Sequence, residues 1–72
     1  MNNVWRVDTG LLTCVAVNKD NLADNTPFDY WLPVMLGDGH YRYFFLEEEA
    51  KLALIEVIDE RIAYLQRAKD EL

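Results

Sequence analysis

The chain has 72 residues and a formal net charge of -6, with thirteen acidic side chains against seven basic ones. That balance argues against direct binding to a nucleic-acid backbone or to an anionic membrane surface, since both are held by clustered Lys and Arg. One cysteine, Cys14, and one histidine, His40, allow neither an intramolecular disulfide nor a zinc site of paired Cys and His ligands, so no metal or cofactor is expected.

A single domain of this size buries only about 60% of the surface its unfolded chain exposes. Small domains compensate with disulfides, metals or partner chains. With the first two absent and 51% of the residues hydrophobic, self-association or docking on another protein is the expected supplement. The opening MNNVWRVD lacks the layout of an export signal, and no apolar run approaches the ~20 residues of a membrane span. Together with the lone thiol, this points to the cytoplasm.

Residues 4–8 read as a first strand, with Trp5 and Val7 on one face and Arg6 and Asp8 on the other. Asp8-Thr9-Gly10 is a turn signal. Residues 11–17, LLTCVAV, are apolar on both faces, as in a central or doubly covered strand. The polar stretch 18–27, NKDNLADNTP, is a loop long enough to hold one helical turn. Residues 28–36 form the third candidate strand, but Pro33 lacks an N–H and places it at an edge or a break. Gly37-Asp38-Gly39 is a hairpin turn, and residues 40–45 form the fourth strand, with Tyr41, Tyr43 and Phe45 alternating against His40, Arg42 and Phe44.

From Leu46 the period changes. Residues 46–70 contain no Gly or Pro, begin with Glu47, Glu48 and Glu49 and approach their end with Arg67 and Lys69, which suits a helix dipole. Leu46, Ala50, Ala53, Leu54, Val57, Ile58, Ile62, Tyr64, Leu65 and Leu72 fall in one wide arc, with Ile55 at its border. The expected fold is α+β: a small antiparallel sheet of three to four strands followed by one long helix packed on one face.

Three constellations suggest chemistry. Asp8-Thr9-Gly10 matches the aspartic-protease triplet, but it falls where a hairpin turn is required and the chain is too short for that fold. Asp38, His40 and Cys14 are a base, an imidazole and a thiol with no sequence reason to meet, so no catalytic residue and no enzymatic activity is assigned. The alternating rings of Tyr41, Tyr43 and Phe45 resemble RNA-stacking platforms, yet GDGHYRYFF lacks the basic opening residue and second glycine of that motif.

Most of the aromatic residues lie between Phe28 and Phe45, and one helix covers only one face of that hairpin. Either a partner or the 18–27 loop must cover the other. The first expectation is therefore an acidic, non-enzymatic protein-interaction module. It would be homodimeric or docked on a larger protein through Tyr30, Trp31, Met35, Tyr41, Tyr43 and Arg61. Arg61 lies inside the apolar arc, where it either snorkels to water or pairs across an interface. A second expectation uses the acidic helix face, Glu49, Glu56, Asp59 and Glu60, as a mimic of a phosphate row. In size and charge the chain resembles small acidic inhibitors encoded by phages and mobile elements that occupy basic grooves of nucleic-acid enzymes. A third places a small ligand between the 18–27 loop and the aromatic hairpin.

Overall fold

The computed structural model describes residues 2–72. Strands β1 (Asn3–Asp8), β2 (Thr13–Asn18), β3 (Leu32–Pro33) and β4 (His40–Phe44) are followed by one helix, α1 (Glu47–Asp70). The strands form a single antiparallel sheet in the order β2-β1-β4-β3. This is the α+β layout that the change of hydrophobic period implies. Among the described residues no helix is long and apolar enough to cross a membrane.

β1 is the central strand. It pairs along its whole length with β2, from Asn3 opposite Asn18 to Asp8 opposite Thr13, and from Trp5 to Asp8 it also pairs with β4. Its alternation assigns the two faces of the sheet. Val7, Phe44 and Ala50 are buried together under α1, with Trp5, Cys14, Trp31, Ala53 and Leu54 packed around them. Val4 and Tyr43 are also buried, at 2% and 8% exposure. By the same alternation they lie on the opposite face, so the sheet carries a thin apolar layer on each side.

Two strand expectations need correction. β2 is an edge strand rather than a central one, and its Val15 and Ala16 are exposed. The chain leaving β2 crosses to the far edge before β4 returns beside β1, which gives the central places to β1 and β4. The strand expected over 28–36 shrinks to Leu32–Pro33, paired with Tyr41 and His40. Pro33 has no N–H to extend the ladder, and the residues before it serve another purpose.

Phe28 stacks on Phe45 with ring centroids 4.2 Å apart and tilts against Tyr43 at 5.8 Å, while Trp31 meets Phe44 edge-on at 6.2 Å. The segment thus straddles the edge of β4 and sends one ring to each face. Arg42 Nε donates to the Phe28 carbonyl at 3.2 Å and holds the crossing in place. The loop begins with a 3-10 turn at Lys19–Asn21, capped by the Asn18 side chain, and the Lys19 ammonium lies 5.4 Å from the centre of the Phe45 ring. The face away from the helix is therefore partly covered by Lys19 and Phe28, and is less bare than a helix on one side alone would leave it.

Two turns lock the end of the sheet together. Asp8 Oδ1 accepts from the N–H groups of Gly10 and Leu11 at 2.8 and 2.9 Å, so the Asp-Thr-Gly triplet closes a hairpin by side-chain capping. Thr9 donates its N–H to the His40 carbonyl and accepts the His40 N–H on Oγ1, both at 2.8 Å. Gly39 has φ +103, and a Cβ there would stand 2.7 Å from the Gly10 nitrogen. Gly37 has φ +120 but faces open space.

These turns set a graded expectation. Gly37→Ala should cost about 1–3 kcal/mol from backbone strain alone. Gly39→Ala adds the overlap with Gly10 and should cost at least about 1 kcal/mol more. Urea midpoints of the two variants measure the difference, and equal midpoints would contradict the glycine-to-glycine contact.

Candidate functional site

The site begins with a mismatch of lengths. A six-residue strand spans about 20 Å, whereas a 24-residue helix spans about 36 Å. The first half of α1 lies on the sheet: Ala50 is fully buried, and Ala53, Leu54, Val57 and Ile58 are half-buried. Every residue from Asp59 to Leu72 is exposed. The molecule measures 48 × 26 × 17 Å, and its radius of gyration is 14.0 Å against about 11 Å for a compact chain of this length. Its accessible surface is 5772 Å², where a compact monomer of the same mass exposes about 4,600 Å². The surplus, about 1,200 Å² on this scaling, exceeds the area that one partner gives up in an ordinary protein interface, about 800 Å².

This extra surface is not polar. Ile55, Ile62 and Leu65 are 52%, 48% and 57% exposed, and Tyr64 and Leu72 are exposed with them. Ile55, Ile58, Ile62 and Leu65 recur at spacings of three and four, which places them in one stripe along the side of the helix. The hydrophobic period assigns Ile62, Tyr64, Leu65 and Leu72 to the packed arc, and the structure leaves all four exposed. The signal that could have placed them outside was the helix length itself, compared with that of the strands.

An open groove of about 610 Å³ lies between α1 and the far end of β4, on a different side of the helix from the stripe. Trp31, His40 and Arg42 form its sheet side, and Val57, Arg61 and Tyr64 line its helix side. Arg61 Nη2 donates to the Thr9 carbonyl at 3.3 Å, so this arginine reaches back to the first turn as a strut between helix and sheet. The Arg42 guanidinium stands 4.8 Å over the Phe44 ring. Glu56 and Glu60 share the groove with these two arginines, which interrupts the acidic helix face with positive charge.

The partner residues proposed from sequence do not gather into one patch. Trp31 and Arg61 meet at the groove. Tyr43 is buried, and Tyr41 stands edge-on to it with centroids 5.7 Å apart, on the face away from α1. Tyr30 is exposed, and Met35, at 98% exposure, sits with Leu36 at the tip of the 34–39 loop. Glu49 and Asp59 are exposed on α1, outside the groove lining. A second recess, of about 520 Å³, lies between the Asp8–Leu11 turn and the 34–39 loop. Neither recess is lined by residues 18–27, where the ligand reading placed its pocket.

Cys14 and His40 stand on β2 and β4, separated by β1. Burial and the nearby Glu47 carboxylate push the Cys14 thiol above its ordinary range, and Lys51 offsets this only in part. Lys51 is itself paired with Glu47 at 2.7 Å and holds that carboxyl below its usual value. A thiol kept protonated is a poor nucleophile. No protein-family model matches the chain, and no curated protein or solved structure shows significant similarity to it.

The Cys14 environment fixes the sign of a pH effect. Alkylation by iodoacetamide should be slower than that of a free cysteine near neutral pH and should go on rising with pH beyond the point where free cysteine levels off. Glu47→Gln removes a charge that raises the thiol and should speed the reaction. A wild-type rate equal to that of free cysteine would contradict the shift.

Proposed function

We propose that this protein is a non-enzymatic protein-interaction module that docks through the exposed half of α1. The carrying observation is the apolar stripe Ile55, Ile58, Ile62 and Leu65, which runs on for two turns after the sheet contact ends at Ile58. Monomers seldom leave a continuous apolar surface of this size in water. Met35 and Leu36 expose further apolar surface at the tip of the 34–39 loop, and Leu36 lines the second recess together with Arg61. Of the residues expected to meet a partner, Trp31 and Arg61 line the groove and Met35 is exposed at the loop tip, none of them in the stripe itself. Tyr43 is assigned to packing, because a ring buried under Phe28 has no face to offer.

The nucleic-acid mimic has less in its favour. A phosphate-like row needs uninterrupted negative charge, and Arg42 and Arg61 stand among Glu56 and Glu60.

The test is a paired substitution on the exposed stripe, Ile62→Glu with Leu65→Glu. Neither side chain supports the sheet core, so the far-ultraviolet spectrum should be retained. The unmodified chain should form a complex, with itself or with another protein of its native lysate, and the substituted chain should lose it by at least about a hundredfold in affinity. A complex that survives the double substitution, or a chain that forms none, would overturn the reading.

A further inference from the structure

Resting on that docking surface, we infer that the occupant of the α1 stripe is a second copy of this chain, with the two helices antiparallel. The stripe continues beyond Leu65 through Lys69 to Leu72, so Ile55, Ile58, Ile62, Leu65, Lys69 and Leu72 follow an alternating three-and-four spacing. That is the repeat of a helix seam that meets another helix along its length. One position in it is charged. In a parallel pair each residue faces its own copy, and Lys69 would meet Lys69.

In an antiparallel pair centred between residues 62 and 65, Ile62 of one copy meets Leu65 of the other, and Ile55 meets Leu72. Lys69 then falls opposite Ile58, beside Asp59. The charges answer one another there. Among the described residues the one ion pair is Lys51–Glu47. Asp59 has no basic residue three or four positions away along the helix, and Lys69 has no acidic one. Each is exposed and positioned to pair with the other across the two-fold axis, giving two symmetric bridges.

The dimensions agree. The overlap contains helix from Ile55 to Asp70, about 24 Å, with Leu72 just beyond its end. It sets the two sheets at opposite ends of the pair, because each sheet is packed against its own helix only as far as Ile58. The antiparallel arrangement also opposes the two helix dipoles.

The experiment measures self-association by sedimentation equilibrium for the unmodified chain, for Asp59→Lys, for Lys69→Asp and for an equal mixture of the two variants. Both substituted positions are exposed, and circular dichroism verifies the fold. The unmodified chain should be a dimer. Each variant alone should dissociate about tenfold more readily, since two attractions become two repulsions. The mixture should recover the original affinity, because the heterodimer restores both bridges. Variants that dimerise as well as the unmodified chain, or a mixture that does not recover, would overturn the antiparallel register. A monomeric chain that nevertheless loses a foreign partner on Ile62→Glu/Leu65→Glu overturns self-pairing while leaving the docking reading intact. A dimer unaffected by that double substitution overturns both.

Discussion

The length of α1 relative to the sheet governs this molecule. Four short strands can support about three turns of helix, and α1 has more than six. Ala50 seats the supported half: its small side chain lets the helix backbone come close to Val7 and Phe44, and larger groups pack around that contact. Beyond Ile58 the same helix has no sheet beneath it. Its apolar side chains then behave as surface, and the whole molecule is longer and more exposed than its mass requires.

The sheet resolves a different constraint. The sheet presents two faces to be covered, but the described residues supply one α-helix. The chain uses the crossing from β2 to β3 for the second face. Phe28 and Lys19 lie over Phe45, Tyr43 packs beneath Phe28, and Trp31 turns back to the helix side. The aromatic residues that look like one sticky patch in the sequence are divided between two thin layers. At the closed end, Asp8, Thr9, Gly10 and Gly39 weld the two turns together, and Arg61 ties the helix to the same point through the Thr9 carbonyl.

The functional reading follows from this division. Once most of the hairpin rings are spent on packing, the remaining continuous apolar surface is on α1. On that helix Lys51 pairs with Glu47, whereas Asp59 and Lys69 have no opposite charge three or four positions away. The groove on the other side of α1 combines Trp31 and Tyr64 with both signs of charge.

Local signals were enough for the element types. The Asp-Thr-Gly turn, the Gly-Asp-Gly turn, the edge position of Pro33 and the uninterrupted helix were all legible, because turn chemistry and hydrophobic period act over a few residues. The sequence also carried the clue to the overhang, in helix length against strand length. Strand order was not legible. That β2 is an edge strand despite apolar residues on both faces depends on where the 19–31 crossing runs, and this is decided by contacts between residues far apart in the chain. The burial of Tyr43, the exposure of Leu65 and the strut from Arg61 have the same origin. Periodicity assigns a residue to a face, but only the assembled sheet determines whether anything lies against that face.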